Sequence, residues 1–276
     1  MSGDAAAPRR PPLRLVLIGW GAINRRVAEL LSAREPDRIA IVAIGVRDAS
    51  RVTGTPPGTR ILTSPQELAE LQVDVVLEAA SREAVALWGD CALRRARALV
   101  VASTSAFCDT DLFARLIQVA EQQGSQLILP AGALAGIDAL AAASVLQLDS
   151  VVHRIVKPPS AWRGTAAETL ISLAELTRAT TFYSGTAREA AASFPKNANV
   201  AVICALAGLG LDRTRVELTA DPDARDNVHL LSAVGAFGKL EIRIENRPLA
   251  TNPKSSEMTA LSLVRIIEGR VKAFVN

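Results

Sequence analysis

Two histidines in 276 residues, His153 and His229, leave acid–base chemistry at neutral pH few imidazoles to work with. The three cysteines, Cys91, Cys108 and Cys204, are odd in number and widely spaced, and none stands at metal-ligand spacing from a histidine. That pattern offers no metal site and suits reduced thiols in a cytoplasm. Aromatic residues make up only 4% of the chain, and the net charge of +3 comes from 31 basic and 28 acidic residues interspersed. Base-stacking platforms and a basic face for nucleic acid are therefore both lacking. A long apolar run is missing too. The least charged stretch, Leu127 to Leu148, is interrupted by Pro130, Gly132, Gly136 and Asp138, which suits a buried strand, turn and helix beside a ligand and not a membrane span. Met1 to Pro12 sets Arg9 and Arg10 among prolines and alanines without an apolar core, and reads as a disordered lead, not a signal peptide.

What is present is 49% hydrophobic residue, enough for a substantial core in a chain long enough for two domains. The most informative segment is Gly19-Trp20-Gly21-Ala22-Ile23-Asn24. It follows the mainly apolar run Leu13 to Ile18 and opens the stretch Ala22 to Ser32, where Ile23, Val27, Leu30 and Leu31 recur at helical spacing. A glycine at 19 permits a tight strand-to-helix turn. A glycine at 21 lets backbone approach a pyrophosphate held by the N–H groups and positive dipole end of the next helix. The expected ligand is a nicotinamide or flavin nucleotide. Asn24 occupies the place where a third glycine usually allows close packing of helix on strand, so a slightly looser fit is expected there.

From residue 13 onward, short apolar runs alternate with helical patterns, the signature of a doubly wound parallel sheet of Rossmann type in an α/β protein. The expected strands are Leu13 to Ile18, Ile39 to Val46, Val73 to Leu77, Ala98 to Ala102 and Gln126 to Leu129. After about Asp149 the pattern changes: Leu240, Ile242 and Ile244 alternate with Glu241, Arg243 and Glu245, as on a strand with one wet face. A second, α+β domain on an open, mainly antiparallel sheet follows, with helices near Ala166 to Leu176 and Ala198 to Leu209. The expected division is a lead over 1–12, a dinucleotide-binding domain over 13–137, a substrate and dimerisation domain over 138–247, and a C-terminal segment over 248–276 whose helix returns to the first domain. Face-to-face pairing of the open sheet with its copy implies a homodimer.

Several segments carry chemistry. Past the second strand, Arg47 suits a ribose 2′-phosphate, which admits NADP, while the adjacent Asp48 leaves NAD open. His229, in Arg225-Asp226-Asn227-Val228-His229, has acidic and amide neighbours that would orient an imidazole and raise its pKa, making it the candidate base. His153, in an apolar strand beside Arg154, reads as structural or surface. Pro130 to Gly136 follows a strand at its carboxyl end, where open α/β sheets place ligands. Phe194 to Val200 sets Lys196, Asn197 and Asn199 at a helix start, suited to a carboxylate or carboxamide.

Together these segments resemble the L-aspartate dehydrogenase family over nearly the whole chain after the lead. The carriers are Gly19-Trp20-Gly21-Ala22-Ile23, Pro130 to Leu140, Lys157-Pro158-Pro159, Phe194 to Ala201, the region of His229, and Glu245-Asn246-Arg247-Pro248 followed by Asn252 to Ser256. The resemblance implies an NAD(P)-dependent conversion of L-aspartate to iminoaspartate that feeds NAD biosynthesis, with reductive amination of oxaloacetate by ammonia as its reverse. It implies Ala133 and Asn199 at the cofactor, beside Gly19, Gly21, Ala22, Ile23, Asn24 and Arg47 as read from the turn and the second strand, and His229 as the active-site histidine. Hydride can leave the α-carbon only from a neutral amine, so a base is expected to take the ammonium proton, and no metal is needed. The two substrate carboxylates call for cationic or amide partners, first Lys196 with Asn197 assisting, ahead of Ser255, Ser256 and Lys157. Homoserine dehydrogenases and dihydrodipicolinate reductases share this architecture, and a non-catalytic dinucleotide sensor would use the same fold without turnover.

Overall fold

The computed structural model describes residues 11–275, with the side chains at 196, 253 and 254 left out; most of the proposed lead thus lies outside the described residues. The first half alternates β1 (Leu13–Ile18), α1 (Ala22–Arg34), β2 (Ile39–Gly45), β3 (Arg60–Leu62), β4 (Val75–Glu78), α2 (Arg82–Arg95), β5 (Ala98–Val101), α3 (Thr110–Gln123) and β6 (Gln126–Ile128). All six strands pair in parallel, in the order β3-β2-β1-β4-β5-β6. The order reverses between β1 and β4, which opens a crevice at their carboxyl ends. The strands are apolar because both sheet faces are covered: Val16, Ile18, Val76 and Leu99 pack towards α2 and α3, and Leu15, Leu17, Leu77 and Val100 towards α1. The stretch before Arg60, which lacks a strand pattern in the sequence, ends in β3, a three-residue edge strand too short to show periodicity.

The second half runs α4 (Ile137–Ala143), β7 (Leu148–Lys157), α5 (Ala167–Leu170), β8 (Thr180–Thr186), α6 (Ala187–Ser193), α7 (Ala198–Ala207), β9 (Arg215–Ala220), β10 (Asn227–Gly235), β11 (Gly238–Asn246) and α8 (Glu257–Glu268). Its sheet has the order β11-β10-β7-β9-β8; only β7 and β9 pair in parallel. The helix expected near Ala166 to Leu176 is a single turn, α5, because Ile171 leaves it in extended backbone. Thr186 starts α6 with a capping box closed by Glu189, a signal passed over in the sequence.

Helix α8 lies against α1 beside the first sheet. Ala260, Leu263, Val264 and Ile267 join the core of Leu15, Val27 and Leu31, and Arg26–Glu257 (2.7 Å) and Arg34–Glu268 (2.5 Å) pair across the two helices. Among the described residues no helix is long and apolar enough to cross a membrane.

Candidate active site

Gly19 has φ +90°, and a Cβ there would lie 2.6 Å from the Ala80 Cβ, so only glycine allows β1 and β4 to release the chain this close together. Gly21 is the N-cap of α1 and brings no capping side chain. A Cβ on it would meet nothing within 4 Å. The first intrahelical bond runs from Arg25 N–H to Gly21 C=O (3.0 Å), and the first turn carries no acidic residue. The N–H groups of Ala22 and Ile23 are thus left uncapped by any side chain of Gly21 at the positive end of the helix, which fits a pyrophosphate.

Asn24 corrects the expectation of a looser fit. Its side chain is fully buried, and its Nδ2 donates to the carbonyls of Ile18 (2.9 Å) and Gly19 (2.8 Å), lashing α1 to the turn that a third glycine would only have let it approach. Trp20 fixes the other side of the turn. Its indole N–H donates to Thr53 C=O (2.8 Å), and the Arg25 guanidinium lies 5.1 Å from its ring centre while donating to the same carbonyl. The loop after β2 is thereby held beside the glycine turn. There Arg47 is exposed, whereas Asp48 accepts from Ser50 N–H (3.0 Å) and Oγ (2.6 Å), bonds that hold its carboxyl below the usual range.

A cavity of about 200 Å³ opens at the carboxyl ends of β4 and β5. Ile23, Ala80, Ser103 and Ala133 line it from the first half of the chain; Lys157, Asn197, Asn199 and His229 line it from the second. Glu78, unremarked in the sequence because it ends an apolar strand, stands behind the lining and holds Ala80 and Ser103 in place. Its carboxylate is buried and accepts from Ala80 N–H (2.7 Å), Ser81 N–H (2.9 Å), Ser103 N–H (3.1 Å) and Ser103 Oγ (2.8 Å). Burial pushes its pKa up and the four donors oppose that, while the carboxylate binds the loops after β4 and β5 together. Asn199 accepts from Ser105 N–H (3.0 Å) through Oδ1, and its carbonyl accepts from Thr104 Oγ1 (2.9 Å), so the start of α7 is latched to the loop after β5. Asn246 donates to Ala133 C=O (2.8 Å) and holds the turn from Pro130, where Gly132 and Gly136 both have positive φ.

His229 and His153 sit on one face of the second sheet. In the register of β7 and β10, Leu231 lies opposite His153 and His229 opposite Ile155, so the imidazoles are diagonal neighbours. His153 is fully buried and His229 nearly so, with His153 Nε2 3.1 Å from His229 Nδ1. Of the two readings of His153, structural or surface, its burial fits the structural one. One expectation is corrected: among the described residues no carboxylate raises the His229 pKa, and burial, then His153 and Lys157, lower it well below the ordinary value. Burial alone holds His153 down to about 4.

Lys157 ends the same face of β7. Its Nζ donates to Asn197 Oδ1 (2.5 Å) and lies 5.2 Å from the Trp162 ring centre. It is thus a cation of the cavity, ranked behind Lys196 and Asn197 in the sequence reading. The Lys196 side chain, first choice for a substrate carboxylate, lies outside the described residues; Asn197 is buried in the cavity wall. Arg47 stands outside this cavity, and Ala22 faces a neighbouring cleft with Arg25 and Arg26.

Residues 138–270 match the family described as aspartate dehydrogenase, C-terminal, and residues 19–130 the one described as homoserine dehydrogenase, NAD binding domain. The L-aspartate dehydrogenase of Brucella anthropi is 55% identical over 262 residues, which cover 95% of this chain and 97% of that protein. The chain belongs to the L-aspartate dehydrogenase family. Another L-aspartate dehydrogenase, from Serratia proteamaculans, is 43% identical over 93% of this chain and 98% of its own. The crystal structure of aspartate dehydrogenase from Thermotoga maritima superposes with a TM-score of 0.76 at 24% identity, covering 96% of this chain and 99% of that one, and shares the fold. As in that family, the first half is an NAD-binding domain of an oxidoreductase, and the cavity joins it to the family-specific second half.

Proposed function

We propose that the chain oxidises L-aspartate to iminoaspartate with NAD or NADP, and in reverse aminates oxaloacetate with ammonia. The observation that carries this reading is the cavity in which Ile23 from the first turn of α1 and the loops after β4 and β5 meet Lys157, Asn197 and His229. Gly21 and the first turn of α1 hold the pyrophosphate, Ala133 and Asn199 border the nicotinamide end, and the bound nicotinamide ring supplies hydride acceptance. Lys157, steadied by Asn197, pairs with one substrate carboxylate. A monocarboxylic amino acid brings no second carboxylate to that ammonium and forgoes the ion pair, which discriminates against it. His229 borders the reacting end of the substrate. The buried Ala133 helps keep bulk water from the hydride path.

The sheet face turned away from α6 and α7 presents Val152 and Leu230 among the ion pairs Arg154–Glu217 and Arg243–Glu245, and on our reading it pairs with a second copy. The test of function is the growth of reduced-nicotinamide absorbance. It is expected with L-aspartate and not with homoserine; equal rates with both would refute the assignment, and nucleotide binding without any turnover would favour a sensor.

A further inference from the structure

The two histidines carry more than a shared wall. His153 Nδ1 is buried and has no hydrogen-bond partner among the described residues, while its Nε2 meets His229 Nδ1. Each neutral imidazole holds one proton, so the 3.1 Å contact has two possible polarities. If His229 Nδ1–H donated, the His153 proton would have to sit on Nδ1, leaving an N–H buried without an acceptor, the costlier kind of orphan. If His153 Nε2–H donates, the orphan atom is a bare lone pair, which is tolerated more readily.

We propose that His153 fixes the tautomer of His229: His153 Nε2–H donates to His229 Nδ1, so His229 turns an N–H towards the cavity and acts on substrate as a neutral hydrogen-bond donor. The inference rests on the reading that His229 borders the reacting end of the substrate. His153 is then a positioning residue on β7, the strand beside that of His229, acting through one hydrogen bond.

The polarity has consequences for chemistry. A neutral imidazole N–H can polarise the carbonyl oxygen of a 2-oxo diacid or hold a carboxylate oxygen, and it has no lone pair at that nitrogen to receive a proton from an ammonium. Protonating His229 would place Nδ1–H against His153 Nε2–H, and relieving that clash would strand a proton on His153 Nδ1. Among the described residues, Lys157 is the other titratable group acting on His229, and it too disfavours the imidazolium. The amine of L-aspartate therefore loses its proton to solvent before hydride departs from the α-carbon, and the expectation that His229 is the base is replaced by a donor role.

With only two histidines in the chain, selective ¹⁵N labelling of histidine in the full-length protein gives a spectrum of two rings. Long-range proton–nitrogen correlations are expected to show both as Nε2–H tautomers at neutral pH, with His229→Gln removing one set for assignment. An Nδ1–H signature at His229 overturns the proposal. Kinetics give an independent arm. His229→Gln keeps an N–H of similar reach and should retain turnover within about tenfold of the parent. His229→Ala should lose about two to four orders of magnitude. Equal loss in both variants means that His229 is needed as something other than a donor, which sinks this inference alone; full turnover in His229→Ala removes the reading beneath it. For His153, His153→Gln should preserve the His229 Nε2–H signal and His153→Phe should abolish its dominance.

Discussion

His153 Nε2 and His229 Nδ1 lie 3.1 Å apart on one buried face of the second sheet, with no carboxylate on either ring. Both rings are neutral at neutral pH because burial penalises their cations.

That neutrality makes the fold acid-sensitive in a defined window. His153 binds its proton at about 4 in the folded chain and near 6.5 when unfolded, so the unfolded state holds more protons between those values. Stability contributed by the neutral ring is complete above pH 6.5, falls as pH is lowered, and levels off below about 4, a loss of about 3 kcal/mol at most. Urea unfolding of the parent and of His153→Phe across that range should show the acid-dependent fall reduced in the variant.

Glu78 should tolerate its own amide poorly. All four of its hydrogen bonds are accepted, three at Oε1 and the one from Ser103 N–H at Oε2, so Glu78→Gln sets its NH₂ group against at least the Ser103 N–H in a buried site. A loss of about 2–4 kcal/mol is expected. Denaturant titration measures it, and nucleotide titration should show weaker binding as the loops after β4 and β5 separate.

Arg47 is exposed while Asp48 is occupied by Ser50, which favours a phosphate over a bare ribose hydroxyl beyond β2. Arg47→Ala should weaken NADPH binding about tenfold, as for one lost charge-assisted hydrogen bond, and leave NADH binding nearly unchanged. Fluorescence titration with the two reduced nucleotides separates the cases.

Lys157→Gln should raise KM for L-aspartate by about one to two orders of magnitude, the scale of one charged hydrogen bond, with kcat less affected. Nucleotide affinity should hold. A change confined to kcat would place Lys157 at the reacting centre instead.

The parallel sheet was legible because its strands are buried on both faces and its glycine turn is local: β1 is read to its last residue, and β2, β4, β5 and β6 within two residues at each end. The small edge strand β3 and the capping-box helix α6 were passed over, one too short for periodicity and the other set between weak patterns. In the cavity, local motifs pointed to Gly21, Ala133 and Asn199, but partners brought together across strands were invisible as neighbours. His153, Ile155 and Lys157 alternate along β7 and therefore share a face, a period-two signal that places His153 and Lys157 on one side. Their meeting with His229 and Asn197 required the register of β10 and the start of α7. Glu78 was hidden by its apolar strand, and its role appears only through donors from two separate loops.

The most direct test of the cleft is isotopic. L-aspartate deuterated at the α-carbon, incubated with the purified chain and oxidised nicotinamide nucleotide, should yield reduced nicotinamide carrying the label, with the yield collapsing in His229→Ala. Reduced nicotinamide without label, or labelled product formed equally well by His229→Ala, would contradict hydride transfer from aspartate in the cavity that His229 borders.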